Sequence, residues 1–203
     1  MAYTLAIAAS VLNLAGYVWY IRDLVRGTTR PNVSSWMVWM GVTVVSVSSY
    51  VTATGDPVKS IFSWSILAVN IITFFFIIRR ARFSALSRLD VSALAIGLVA
   101  AAAWLFTTSA WWGNMLIQVA IVTGGIPTLV SVWHQPYNER PWPWLLWGVA
   151  FICQTAVILT RWTGQPLELI YPLVGVVLYG GVGALALIRR RAVRQPESLP
   201  QVR

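Results

Sequence analysis

Four uncharged polar residues lie near the middle of long apolar stretches, at Ser46, Asn70, Gln154 and Tyr179. In hydrocarbon, an amide or hydroxyl without a hydrogen bond is costly, so each must face other protein groups or a cavity. The chemistry they offer is hydrogen bonding to a small neutral polar solute. The structural alternatives are a bond between helices for Asn70 and a bond to a carbonyl of its own helix for Ser46.

Ionisable residues are confined to the ends of these stretches and to the segments between them. In the interiors of the apolar stretches, therefore, no carboxylate, lysine or histidine is present to form a general acid and base pair, a proton relay or a metal cluster. The only histidine, His134, and the only lysine, Lys59, fall at predicted helix ends, which argues against bound haem or retinal. We therefore expect no enzymatic reaction, no cofactor and an uncharged solute.

Seven stretches are long and apolar enough to cross a bilayer as helices, which takes about 20 residues. They cover roughly 3–21, 33–53, 58–78, 91–107, 110–132, 142–160 and 167–188. Hydrophobic residues make up 58% of the chain and charged residues only 10%, against about 25% charged in ordinary soluble domains. The sequence therefore predicts an all-α membrane protein with seven transmembrane helices.

Part of the sequence is repeated. Residues 16–39 recur as 124–147 at an offset of 108, and residues 54–57 recur as 163–166 at an offset of 109. The stretch 91–107 has no counterpart in either copy. As an extra span it gives both copies the same orientation, so we predict two parallel three-helix repeats around a linker helix.

The repeat divides the chain into four parts. These are a first three-helix repeat at 1–88, a linker helix at 89–108, a second three-helix repeat at 109–190 and a tail at 191–203. With seven helices, one side collects 13 of the 15 basic residues, all except Lys59 and Arg161. The positive-inside rule then places the amino terminus outside and the tail in the cytoplasm. The net charge of +9 faces anionic lipid head groups in this arrangement, and nucleic acid is not expected as a partner.

Four tryptophans belong to the repeat, Trp36 and Trp39 in the first copy and Trp144 and Trp147 in the second. Each pair is spaced three apart, on one helix face near the predicted cytoplasmic end. One interpretation is an aromatic gate, or a wall on which a sugar stacks. The other is anchoring at the membrane surface together with packing between the copies.

Asp23 is the acidic residue most indicative of a specific role. It lies beside Arg22 and three positions before Arg26, which is typical of a solvated charge cluster on one helix face. The other interpretation is a latch at the cytoplasmic end. Its repeat equivalent is Ser131, so such a latch would be one-sided.

Short motifs occur at matching places in the two copies. In the first copy they are Gly16-Tyr17, Tyr20-Ile21-Arg22-Asp23, Gly27-Thr28-Thr29-Arg30-Pro31, Ser35-Trp36 and Trp39. In the second copy they are Gly125-Ile126-Pro127-Thr128, Trp133 and Pro136-Tyr137-Asn138-Glu139. Over about 11–190, the chain resembles the SWEET and PQ-loop superfamily, most closely a bacterial branch of it. The resemblance implies a 3+1+3 carrier that opens a midplane pocket alternately to each side.

The resemblance also implies roles for individual residues. The family uses a proline in the first and fifth helices as a hinge, and this chain keeps it only as Pro127, so Gly16 must supply any flexibility of the first helix. Sugar-transporting relatives carry pocket asparagines in the third and seventh helices. Asn70 matches the first of these, whereas Tyr179 takes the place of the second, and neither copy keeps the glutamine of the PQ motif.

These features predict a facilitative carrier of a small neutral polar solute, with a sugar as the leading expectation. The alternative is a non-transporting receptor, assembly factor or accessory subunit on the same fold, which the missing hinge proline and asparagine favour. A homo-oligomer or a membrane-complex partner is compatible with both. Fourteen arginines to one lysine are typical of a GC-rich bacterial genome, so we expect a bacterial plasma membrane.

Overall fold

The computed structural model describes residues 1–29, 31, 33–80, 88–107 and 109–194. Within these residues the chain forms seven α-helices and no strand. The helices are α1 (Ala2–Val25), α2 (Val33–Thr54), α3 (Pro57–Arg80), α4 (Arg88–Thr107), α5 (Ala110–His134), α6 (Pro141–Thr160) and α7 (Leu167–Arg194). The predicted tail beyond residue 194 and Arg30 of the first motif lie outside the described residues.

Each predicted stretch is found as a helix. The largest differences are at the ends of α1 and α7, which continue through Arg22 and through Arg189 to Arg191. Basic residues are favourable in the last turn of a helix, and their long side chains can reach water beyond the apolar layer. Five of the described helices are long and apolar enough to cross a membrane, which indicates a membrane-embedded protein: Ala2–Val25, Pro57–Arg79, Ala110–His134, Pro141–Thr160 and Leu167–Val193.

The helices pack in two sets of three with similar internal contacts. In one set α3 packs against α1 and α2, and in the other α7 packs against α5 and α6. The sets are joined by packing of α1 on α6 and of α2 on α5, while α4 packs on α5 and α2. Exchanging α1, α2 and α3 for α5, α6 and α7 maps the contacts within the sets, and those of α1 with α6 and α2 with α5, onto one another. The contacts of α4, and a smaller one between α3 and α6, have no counterpart of similar extent among the described residues.

The buried core lies where the two sets meet, and it has two main parts. The first, called the aromatic cluster below, includes Tyr17, Tyr20, Trp36, Trp39, Trp144 and Trp147. The second includes Tyr50, Phe62, Phe151 and Tyr171. Tyr179 of α7 packs against both parts, so it lies between them.

Glycines allow close packing of α6 on α7. A Cβ added at Gly148 would lie 3.1 Å from the backbone of Gly180, and one added at Gly175 would overlap the ring of Phe151. Small residues at such positions let helix backbones approach, which is a principal source of helix association in membranes. Gly148 of α6 and Gly175 of α7 take this role where the two helices meet.

The Gly175→Ala variant is expected to lower the free energy of unfolding by about 1–3 kcal/mol, because Phe151 would have to leave its packed position. The matched control is Gly181→Ala in the same helix, where an added Cβ meets no described atom within 4 Å. We expect the control to be neutral or slightly stabilising, since alanine is the better helix former. Thermal unfolding of both variants in detergent measures the difference, and equal stabilities would contradict it.

Candidate functional site

A small cavity lies between the two helix sets, among α2, α3, α5, α6 and α7. Its volume is about 20 Å³, which is room for about one water molecule. Residues with hydroxyl or amide groups line it at Thr43, Ser46, Gln118, Tyr171 and Tyr179, together with Val47, Ile66, Ile121, Phe151, Val174 and Gly175. None of these described lining residues is charged, so the cavity suits a neutral polar group.

Ser46 and Gln118 form a polar wall of this cavity. The Ser46 hydroxyl accepts a hydrogen bond from Gln118 Nε2 at 3.4 Å. One turn earlier on α5, Asn114 Nδ2 donates to the Ser46 carbonyl oxygen at 3.1 Å and to Ser49 Oγ at 3.2 Å. Sequence reasoning missed Asn114 and Gln118, although two amides four residues apart in an apolar stretch carry the same signal as Asn70.

Asn70 lies behind the cavity wall. Its Nδ2 donates to Thr43 Oγ1 at 3.3 Å and to the Tyr17 hydroxyl at 3.4 Å, and Thr43 itself lines the cavity. Asn70 Oδ1 is buried and has no hydrogen-bond partner within the described part of the chain. An unpaired buried acceptor costs about 1–3 kcal/mol, which a donor from a bound solute or water would offset.

Tyr179 lines the same cavity as Ser46 and connects it to the aromatic cluster. Its ring stacks on Phe151 with centroids 5.3 Å apart and 9° between the planes. It also stacks on Trp144 at 5.8 Å. Tyr179 therefore contributes an aromatic face to the cavity, whereas Ser46 and Gln118 contribute hydrogen-bonding groups.

Gln154 lies apart from the cavity, at the end where α3 and α7 begin. Its Nε2 donates to the Lys59 carbonyl oxygen at 2.8 Å. Lys59 Nζ forms an ion pair with Glu168 Oε2 at 2.8 Å, and the exposed fractions of the two side chains are 0% and 2%. Thr163 Oγ1 donates to the other carboxylate oxygen at 2.6 Å. These charges sit at helix ends as predicted, but their burial was not anticipated.

A second ion pair lies at the same end, between Asp56 and Arg161. Arg161 Nε donates to Asp56 Oδ2 at 2.6 Å, and the backbone N–H groups of Val58 and Lys59 donate to Oδ1. Partial burial alone would raise the pKa of Asp56, but these bonds outweigh it and lower the pKa below its ordinary value. The two ion pairs together close this end of the helix packing.

The four repeated tryptophans are buried in the aromatic cluster, with exposed fractions of 4% or less. Trp39 lies against Trp144 with ring centroids 5.7 Å apart, and against Trp36 at 5.6 Å. Side chains buried in this way have almost no surface to present to lipid, so they pack between the helix sets and do not act as membrane anchors. They fill the space between the cavity and the end where α2 and α6 begin.

Glu139 lies at the end of the aromatic cluster where α6 begins, and it contacts Trp144. It precedes α6, is 3% exposed, and accepts hydrogen bonds from the Tyr20 hydroxyl at 3.2 Å and Trp144 Nε1 at 3.1 Å. Burial raises the pKa of Glu139 to about 7, although these two hydrogen bonds and the charge of Arg190 act to lower it. From the sequence Glu139 is one acidic residue in a loop, and its burial depends on the distant Tyr20.

Asp23 is buried at the same end, with 6% of its side chain exposed. Arg22 Nη2 lies 3.4 Å from Asp23 Oδ1, and the Arg22 side chain is 48% exposed. The sequence interpretation of a solvated cluster holds for Arg22 but not for the carboxylate. Asp23 does not line the central cavity.

The two predicted hinge residues lie within continuous helices. Pro127 is inside α5, and Gly16 is inside α1, where an added Cβ would lie 2.6 Å from Trp147 Nε1. Gly16 therefore has a packing role beside the aromatic cluster. Sequence reasoning did not single out Pro172, which lies inside α7 next to the cavity residue Tyr171. Because proline removes a helix hydrogen bond, Pro172 is a further position at which a helix can bend.

Comparison with known proteins adds nothing to this geometry. No protein-family model, curated protein or solved structure matches the chain. Within the described residues, no group of three or more His, Cys, Asp or Glu residues is placed to hold a metal ion.

Proposed function

We propose that this protein is a facilitative carrier of a small neutral polar solute, of which a sugar is the leading candidate, in a bacterial plasma membrane. The observation that carries the proposal is a small uncharged cavity, lined by apolar side chains and by hydroxyl and amide groups, and built by helices from both sets. It lies between the end that holds the two ion pairs and the end that holds Glu139. In the proposed cycle the ends open in turn, and the solute occupies the cavity in between. Transport is downhill, because no described charge lines the cavity and could couple it to an ion gradient.

The plan of two parallel three-helix repeats, with α4 as linker and the amino terminus outside, belongs to this proposal. Its support is that repeat-equivalent residues meet in space: Lys59 and Glu168 are 109 positions apart and form the buried ion pair. Gly55 and Gly164 are also 109 apart, and both have positive φ, +58° and +89°. Parallel repeats of this kind place a substrate site at their interface.

The choice of a neutral polar solute follows from the two faces of the cavity. Ser46 and Gln118 offer hydroxyl and amide groups, and Asn70 has an unpaired acceptor behind Thr43 within the described part of the chain. Tyr179 and Phe151 offer stacked aromatic rings. A sugar presents hydroxyl groups at its edge and C–H groups on its face, so it complements both. The cavity must enlarge to admit one, since its volume of about 20 Å³ is far below that of a typical ligand site.

That small volume is also the observation that favours the second candidate, a receptor, assembly factor or accessory subunit that transports nothing. In such a protein the cavity is a packing defect, and the polar side chains serve to hold helices together. The two candidates differ in whether the cavity ever opens to both sides of the membrane.

Solute counterflow in proteoliposomes tests the carrier directly, with mixed sugars and neutral amino acids loaded inside. We expect uptake by the native chain, and about tenfold less by Gln118→Leu and by Asn70→Ala, because each loses a hydrogen bond worth about 1 kcal/mol or more. The matched control is Thr123→Val, which changes an exposed hydroxyl on α5 outside the cavity. If folded native protein takes up no solute while a partner protein co-purifies with it, the second candidate replaces the first.

A further inference from the structure

A second cavity lies at the protein surface where α6 begins and α7 ends, away from the central cavity. Its volume is about 190 Å³, and it is lined by Arg140, Pro141, Trp142, Leu187, Arg190 and Arg191. Three of the six lining residues are arginines, and none of the described lining residues is acidic. Glu139 is next in sequence, but its carboxylate is turned inward to Tyr20 and Trp144. The cavity therefore concentrates positive charge.

Arg190 is held in position at this cavity by the chain itself. Its Nε donates to the Pro136 carbonyl oxygen and its Nη2 to the Glu139 carbonyl oxygen, both at 2.9 Å. The guanidinium carbon also lies 4.9 Å from the centre of the Tyr137 ring. Arg190 therefore forms a fixed, positively charged wall of the cavity, and its charge favours an anionic group such as a phosphate.

The remaining lining places the cavity at the level of lipid head groups. It lies at the ends of two helices that are long and apolar enough to cross a membrane. Trp142 is 52% exposed beside the arginines, and tryptophan is typical of the boundary between head groups and hydrocarbon. Leu187 extends the lining toward the apolar part of α7.

We propose that this cavity binds the phosphate head group of an anionic phospholipid. Arg140 and Arg191 contact the phosphodiester oxygens, and the fixed charge of Arg190 adds to the attraction. Trp142 and Leu187 contact the glycerol and the first acyl carbons. The site is distinct from the proposed solute path. Because Arg190 is tied to the loop that carries Glu139, an occupied site holds that loop in place.

Native mass spectrometry of the detergent-purified protein tests the proposed lipid site. Lipid binding is measured during titration with phosphatidylglycerol or with phosphatidylcholine. We expect preference for phosphatidylglycerol, and an affinity about 25-fold lower in Arg140→Gln/Arg191→Gln, since each arginine near an anionic surface contributes about a fivefold factor. Arg190 is left unchanged, because its replacement would release the loop. If the double variant does not fold, Arg191→Gln alone, at an exposed residue near the end of α7, is expected to give about a fivefold loss.

The matched control is Arg26→Gln/Arg88→Gln, which removes two exposed arginines at the predicted cytoplasmic ends of other helices. This control is expected to bind phosphatidylglycerol as the native chain does. Equal loss in both double variants would overturn the proposal, because it would assign the affinity to net charge alone. Displacement of the lipid by millimolar inorganic phosphate would also overturn it, because the ligand would then be a soluble anion.

Discussion

The Lys59→Met variant is expected to lose about 3–5 kcal/mol of its free energy of unfolding. Lys59 and Glu168 form an ion pair at 2.8 Å with almost no exposed surface. Removal of the lysine leaves a buried carboxylate whose remaining side-chain partner, within the described residues, is Thr163. Breaking one half of a buried pair costs this much because the remaining charge has neither water nor a counter-ion. Equilibrium unfolding in mixed detergent micelles measures the loss.

A second variant distinguishes the effect of losing the ion pair from the effect of leaving one charge buried without its partner. In Lys59→Met/Glu168→Leu both charges are gone, and we expect stability within about 1 kcal/mol of the native chain, because apolar packing can replace a buried pair. The matched single control is Arg161→Gln at the neighbouring pair, whose arginine is 40% exposed, and it should cost less than about 1 kcal/mol. A Lys59→Met variant no less stable than Arg161→Gln would show that the pair is not buried as described.

Glu139 is expected to make the protein more stable in mild acid than at neutral pH. Its pKa is about 7 in the folded protein and about 4.5 when unfolded, so between these values the folded state binds the extra proton. The contribution of Glu139 to the free energy of unfolding is fully present below pH 4.5 and is lost as the pH rises through 7. The full difference is roughly 3 kcal/mol, at 1.36 kcal/mol for each pKa unit.

The control for this prediction is Glu139→Gln, which keeps the shape and an acceptor oxygen but cannot titrate. Its stability should vary less between pH 5 and pH 8 than that of the native chain. Infrared spectroscopy should show a carboxylic acid C=O band that disappears in the native protein near pH 7 and is missing in the variant. A native pH profile that coincides with that of Glu139→Gln would mean that the carboxylate is not buried under the aromatic cluster.

The positions of the helices could be predicted from the sequence because hydropathy and breaking residues act locally. Gly55 follows α2, Pro57 begins α3, and Gly164 and Pro166 precede α7, close to where the pattern predicts these boundaries. α1 and α7 are longer than the apolar pattern predicts, because their last turns contain arginines, which lie outside the apolar stretches. Ser46 and Tyr179, chosen for their depth, line one cavity.

The roles of the charged residues could not be predicted in this way. Lys59 and Glu168 each look like an ordinary residue at a helix end, and their burial arises only when α3 and α7 bring positions 109 apart into contact. Glu139 likewise depends on Tyr20, which is 119 positions away. Gln154 lies 108 positions after Ser46, which is the repeat offset, but it bonds to the Lys59 carbonyl oxygen at one end of the molecule. The position of a residue within an apolar stretch indicates whether it is buried. Its hydrogen-bond or ion-pair partner depends on how the helices pack.

Access to the central cavity from each side of the membrane is the most direct test of the carrier. Ser46→Cys is placed in a Cys153→Ala background, which removes the chain's only cysteine, and is treated with a membrane-impermeant thiol reagent in vesicles of each orientation. Exposed loop positions serve as controls: Gln165→Cys should react only from the proposed outer side and Gln135→Cys only from the cytoplasmic side. The carrier account predicts that Ser46→Cys reacts from both sides and that a transported solute slows both reactions. Labelling from one side only, or from neither while both controls react, would contradict it.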